Sequence, residues 1–254
     1  MTSKRIIARL DIKGPNVVRG IHLEGLRVVG QPEEMAARYA DQGIDELVFI
    51  DTVATLYGRN NTLSVVERTA ERAFIPLTVG GGIRTLQDVD DVLRAGADKV
   101  TVNSAAVRTP TFVTEIARRF GSQCVVSAIE AKRRPDGGWA VKIENAREDT
   151  GLDAVQWAKE VVDRGAGEIL LTSIDADGMK TGCDLELTAA VSSAVPVPVV
   201  ASGGPGNAAH VVDAFKRGGA DAVALGTLLH FKLASVDSLK QELAAAGVSV
   251  RLRG

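Results

Sequence analysis

The chain has 254 residues, 30 basic against 32 acidic side chains for a net charge of −2, and 45% hydrophobic content, the balance of an ordinary soluble globular protein. Near-neutral charge without a Lys/Arg block excludes an electrostatic nucleic-acid binder, which needs a basic surface to displace counterions. No apolar run approaches the roughly 18 residues of a membrane span, and MTSKRIIARLDIK enters a strand pattern without a signal-peptide core, so a cytoplasmic enzyme with no membrane partner is expected.

In chain order, β-branched runs fall at 5–11 (RIIARLD), 46–51 (ELVFID), 76–80 (PLTVG), 99–103 (KVTVN), 124–130 (CVVSAIE), 168–173 (EILLTS), 198–202 (PVVAS) and 222–226 (AVALG). Helical periodicity predicts segments near 32–42, 62–73, 86–95, 109–119, 152–164, 185–193, 207–217 and 234–245. Strict alternation implies a parallel sheet. Because the runs are almost continuously aliphatic, both sheet faces must be covered. Eight units then favour a single α/β domain over 1–254, a closed (β/α)8 TIM barrel, above an open doubly wound sheet. One stretch, RRPDGGWAVKIENARE (133–148), breaks the rhythm, and its PDGG predicts a β-hairpin insertion placed as a lid over the catalytic face.

The chain repeats itself. Pro76 and Pro198 stand 122 residues apart, as do Glu46 and Glu168; Asp98 and Asp221 stand 123 apart, and Asp11 and Glu130 119 apart. Matches in one order at nearly one offset predict two similar half-barrels, about 1–123 and 124–254. Glycine turns follow strands three (Gly80 to Gly82) and seven (Gly203, Gly204), while strands four and eight end in Asn103-Ser104 and Gly226-Thr227. Glycine permits close backbone approach, and amides at a helix start present a positive end to an anion. The paired turns therefore predict two phosphate sites on opposite sides of the mouth and an elongated ligand phosphorylated at both ends.

Asp11 and Glu130 end strands one and five over the barrel axis. A carboxylate there is costly unless paired or solvated, and two facing acids can divide proton donation and acceptance. Asp51 and Asp177, at a strand end and on a mouth loop, are placed to orient polar groups of the ligand. At the opposite end Arg5, Glu46, Lys99 and Glu168 open strands one, two, four and six. That floor is either an ion-pair plug or a gate for a small polar molecule arriving from a partner below. His22, His210 and His230 show no metal spacing, Cys124 and Cys183 read as packed, reduced thiols, and no dinucleotide motif is present. Neither a metal nor another cofactor is expected.

Taken together, RIIARLDIK, GIDELVFID, LTVGGGIR, GADKVTVNSAAV, FGSQCVV, GAGEILLTSIDADG, ASGGPG and VRL near the end resemble the cyclase subunit of imidazole glycerol phosphate synthase, the HisF family, over essentially the whole chain. The resemblance implies a histidine-biosynthesis barrel in a heterodimer with a glutaminase (HisH-type) subunit. It would combine the partner's ammonia with phosphoribulosyl-formimino-AICAR phosphate, a bisphosphate, giving imidazole glycerol phosphate and AICAR. By position it implies Asp11 and Glu130 as the acid/base pair, one phosphate site on Gly82, Asn103 and Ser104, and the other on Asp177, Gly178, Gly204, Gly226 and Thr227. Arg5, Glu46, Lys99 and Glu168 match the family's gate to the ammonia passage, and Arg19, Asp51, Lys132, Thr172 and Ser202 are further substrate-site candidates.

The departures are specific. The family's second acid is an aspartate, here Glu130; Arg9 replaces a small residue, and Arg19 a lysine of the first loop. GPNVVRGIHLEGLR (14–27) and LYGRNN (56–61) are similar instead to paralogues found with surface-polysaccharide genes, which amidate a nucleotide-linked sugar with channelled ammonia. That paralogue is the alternative function; the pathway's sister bisphosphate isomerase and a non-catalytic glutaminase activator are the remaining ones.

Overall fold

The computed structural model describes residues 3–52 and 63–253. In chain order it contains β1 (Arg5–Lys13), β2 (Asn16–Ile21), β3 (Glu24–Gly30), α1 (Pro32–Asp41), β4 (Glu46–Asp51), α2 (Leu63–Ala70), β5 (Leu77–Gly80), α3 (Leu86–Arg94), β6 (Lys99–Val102), α4 (Ser104–Arg108), α5 (Thr111–Phe120) and β7 (Val125–Arg133). The second half continues with β8 (Trp139–Ile143), β9 (Glu148–Asp153), α6 (Ala154–Asp163), β10 (Glu168–Ser173), α7 (Leu185–Ser192), β11 (Val199–Ser202), α8 (Ala208–Lys216), β12 (Ala222–Leu225), α9 (Thr227–His230) and α10 (Val236–Ala245). Eight parallel strands pair in the order β1-β4-β5-β6-β7-β10-β11-β12, and β12 pairs back onto β1. The sheet is thereby closed, and with helices between its strands it is a (β/α)8 barrel.

Helix starts are fixed by short polar caps that satisfy otherwise orphaned amides. Thr85 and Asp88 form a capping box on α3, Asp153 caps α6, Asp184 caps α7 and Asn207 caps α8. The main apolar core lies between strands and helices, around Leu47, Phe49, Ile116 and Ile169. A second, smaller cluster lies inside the barrel, where Ile7, Val48, Val126, Leu170, Val200, Ala222 and Ala224 pack together. Among the described residues no helix is long and apolar enough to cross a membrane.

Positions related by the repeat make the same bonds. Leu77 N donates to Asp98 Oδ2 at 2.8 Å, and Val199 N to Asp221 Oδ2 at 3.1 Å. Leu47 N reaches the Pro76 carbonyl at 2.9 Å, and Ile169 N the Pro198 carbonyl at 3.0 Å.

Three expectations need correction. The stretch after strand one is an antiparallel excursion, with β2 pairing β1 and β3 pairing β2. The insertion after strand five is larger than 133–148: the strand itself runs on to Arg133, pairs with β8, and β9 occupies 148–153, where the start of a helix was expected. A short helix, α4, precedes the one expected at 109–119. LYGRNN (56–61) lies outside the described residues.

Candidate active site

Each half of the barrel places an acid where its first strand leaves the parallel sheet. Asp11 pairs with Ile50 of β4 on one side and Val18 of the antiparallel β2 on the other; Glu130 pairs likewise with Thr172 of β10 and Lys142 of β8. Asp11 is 2% exposed. Its Oδ1 accepts from Arg9 Nε at 2.9 Å and its Oδ2 from Arg19 Nη1 at 2.8 Å. Burial alone would raise the Asp11 carboxyl, but these two guanidinium groups outweigh it and hold the group below the usual carboxylate range. Glu130 is partly buried and, among the described residues, accepts the Ala146 amide alone, at 2.8 Å. Desolvation pushes its carboxyl up to about 7, with the Arg9 charge opposing and Asp11 reinforcing the shift. One acid is thus held ionised while the other keeps its proton close to neutrality, the division that general acid–base chemistry requires.

Both glycine turns open onto the mouth. Gly81 and Gly82 have φ of 93° and 72°, a side chain on Gly81 would run into the Asp51 backbone, and the turn borders a cavity of about 260 Å³ with Asp51, Asn103, Ser104, Glu130 and Thr172. Two polar atoms of that wall, Thr101 Oγ1 and Asn103 Oδ1, are buried and have no hydrogen-bond partner among the described residues. Asn103 Nδ2 donates to the Lys142 carbonyl at 3.2 Å, and Ser104 Oγ accepts the Glu144 amide at 3.1 Å, which ties this turn to the second excursion. On the other side Gly178, Gly204, Gly226 and Thr227 surround a space of about 10 Å³, room for about one water. Arg19 takes up that side: Nε donates to Thr227 Oγ1 at 3.0 Å and Nη2 to Asp177 Oδ1 at 2.5 Å. Gly178, at φ 77°, lies where a Cβ would approach the Gly20 carbonyl to 2.7 Å, so the first excursion seats directly on it.

The two excursions meet over the mouth. Asn145 Nδ2 donates to the Leu23 carbonyl at 3.0 Å, joining their tips. At the far end of the barrel Arg5 donates to Glu46 at 2.6 Å and to Glu168 at 2.5 Å, and Lys99 reaches the same two carboxylates at 3.3 and 2.8 Å. Four side chains of alternating sign close a ring beneath the interior apolar cluster.

Asp11, Arg19, Thr172, Ser202, Asp177 and Thr227 converge on one hydrogen-bonded system through Arg9 and Arg19. Lys132 is exposed and lines neither cavity. Among the described residues no group of His, Cys, Asp or Glu could hold a metal. Cys183 is pushed up to about 12 by burial, which keeps it a thiol. Sequence reasoning missed Thr101, Arg108 and Asn145, which line the larger cavity. Thr101 was open to detection as an inward position of strand four, whereas Asn145 sits in a turn with no sequence signature.

Comparison with known proteins gives one consistent result. The protein family described as "Histidine biosynthesis protein" matches residues 5–235. The chain is 60% identical over 206 residues to the imidazole glycerol phosphate synthase subunit HisF of Legionella pneumophila, covering 81% of this chain and 97% of that one. It is 54% identical to the subunit of the same name from Myxococcus xanthus, over 99% of both chains, and 50% identical to that of Bacillus cereus, over 99% of this chain and all of the relative.

Proposed function

The chain belongs to the HisF family of imidazole glycerol phosphate synthase subunits, and from that premise we propose that Asp11 and Glu130 are the base and acid of its cyclase reaction. It is the cyclase subunit of the synthase, a lyase-type enzyme of histidine biosynthesis. In the reaction we assign to it, ammonia and phosphoribulosyl-formimino-AICAR phosphate give imidazole glycerol phosphate, AICAR and water. The observation that carries the assignment is the unlike seating of two carboxyl groups at equivalent strand ends: Glu130 lines the larger cavity with one backbone amide on it, and Asp11 lies behind Arg9, which borders that cavity, gripped by Arg9 and Arg19. Asp11, ionised, takes a proton from the incoming nitrogen; Glu130, protonated, gives one to the departing oxygen or nitrogen. The two phosphates are assigned to Gly82, Asn103 and Ser104 on one side and to Asp177, Gly178, Gly204, Gly226 and Thr227 on the other. Supporting the first are the cavity and its unpaired polar wall atoms, and supporting the second is Arg19, a cation already seated on that turn. Asp51, Thr172 and Ser202 border the same mouth.

Being one subunit of a synthase, the chain works in a complex, and the partner proposed is a HisH-type glutaminase in a heterodimer. It docks beneath the ring of Arg5, Glu46, Lys99 and Glu168, which serves as the gate to an ammonia passage through the interior apolar cluster. Equivalent bonds at equivalent positions support two half-barrels within one domain. The cytoplasm is the proposed location. Relatives matched over nearly their whole length carry the synthase name, which does not favour the surface-polysaccharide alternative. The assay supplies ammonium at alkaline pH with the bisphosphate and follows AICAR. Steady release that disappears in Asp11→Asn is the expected result, and no release by folded protein overturns the reading.

A further inference from the structure

We propose that Arg9 is a positioning residue for this reaction, a brace across the mouth that fixes one oxygen of Asp11 from within the barrel itself. Its side chain leaves β1 and donates through Nη1 to Thr172 Oγ1 of β10 at 2.9 Å and to Ser202 Oγ of β11 at 3.1 Å, while Nε holds Asp11 Oδ1 at 2.9 Å. Its carbonyl is anchored too, accepting from His230 Nε2 at 2.9 Å. The group is 4% exposed. Burying a guanidinium is expensive unless it is fully engaged, and an aliphatic side chain fills an inward barrel position more cheaply. Ile7, one inward step below on the same strand, shows the cheaper solution in place.

Arg19 holds the other oxygen, but from β2, an excursion outside the parallel barrel. Proton transfer at Asp11 needs one oxygen released while the carboxylate stays in position. Arg9 is the cation that stays, since every partner of its side chain belongs to a barrel strand. The charged and titratable groups around Asp11 are Arg9 on β1, Arg19 on β2, Glu130 on β7, Asp177 after β10 and His230 on α9. Burial, with help from Arg19, pushes His230 down to about 4, so it is neutral at working pH. Without Arg9, Asp11 faces two acids against Arg19 alone.

The inference rests on the cyclase reading above, and its test separates the two. Arg9→Met and Arg9→Lys are assayed with ammonium and the bisphosphate across pH, and Asp11 is titrated by infrared difference spectroscopy, assigned with Asp11→Asn. Arg9→Met is expected to lose about 100-fold in kcat, the scale of a misplacement of about 1 Å, with KM within about threefold. Removing the cation raises the Asp11 pKa, so the acid limb of the kcat profile and the infrared midpoint both move to higher pH. Arg9→Lys, with charge but no fork, keeps the limb and loses about tenfold in kcat. Wild-type kcat in Arg9→Lys, a loss in KM alone, or an unmoved infrared midpoint in Arg9→Met overturns the brace. Should Arg9→Met fail to fold, Arg9→Lys decides. A wild type that releases no AICAR overturns the cyclase reading instead, and the infrared comparison still decides the hold on Asp11.

Discussion

Asp11 and Glu130 carry the same functional group in equivalent places, and their surroundings alone set them apart. Two guanidinium groups grip Asp11, whereas Glu130 has one backbone amide and a desolvated site that pushes it up to about 7. The raised value has a consequence for stability. A carboxyl at about 4.3 when unfolded and about 7 when folded favours folding in its protonated form, so its contribution is full at low pH and is lost as pH rises from about 4.5 to about 7. Glu130→Gln, which cannot ionise and can still accept the Ala146 amide, should be more stable than wild type by about 2–4 kcal/mol at pH 8 and indistinguishable near pH 4. Chemical denaturation at the two pH values measures this. The same variant should lose about 100-fold or more in kcat through its missing acid. Both acids were legible in the sequence because a charge ending an aliphatic run has no packing purpose. Arg9 stood out only as an unexpected residue, since its three partners lie 2, 163 and 193 positions away.

At the scale of elements, the eight barrel strands could be read because each is a short aliphatic run that only a covered parallel sheet can bury. The two excursions were harder. PDGG marks the turn between β7 and β8, but the turns at the tips use His22-Leu23 and Glu144 to Ala146, non-glycine residues with positive φ that give no hairpin signature. Such residues adopt that conformation only where surrounding contacts determine it. His22 N donates to the Asp177 carbonyl at 3.0 Å, and its Nδ1 lies 2.8 Å from the Ile174 carbonyl, which holds the first tip down. The junction between tips rests on Asn145. Asn145→Ala should speed amide exchange around 20–24 and 144–146 severalfold while global stability falls by no more than about 1.5 kcal/mol. Hydrogen exchange with mass spectrometry reads the first quantity, and unaltered protection in both tips would show that the junction does not close the mouth.

Across the whole molecule, chemistry at the mouth and charge at the floor lie at opposite ends of the same strands. β1 carries Arg5, Ile7, Arg9 and Asp11 on its inner face, so the proposed gate residue, the apolar lining, the proposed brace and the proposed base follow one another along one strand. If the floor admits ammonia from a partner, Glu46→Gln should lower the glutamine-fed rate of the complex several-fold and leave the ammonium-fed rate of the isolated chain unchanged. Equal losses in both assays would assign the ring to stability alone, as the ion-pair plug would have it.

The floor ring also has a far-field property. Arg5, Glu46, Lys99 and Glu168 alternate in sign around the axis, so monopole and dipole nearly cancel and a quadrupole is left, whose potential falls off far more steeply than that of a single charge. Asp11 lies six residues along β1 from Arg5, about 20 Å at the usual strand rise. The barrel thus keeps four charges at one end electrostatically silent at the other, and the titrations that govern the mouth proceed as though the floor were neutral.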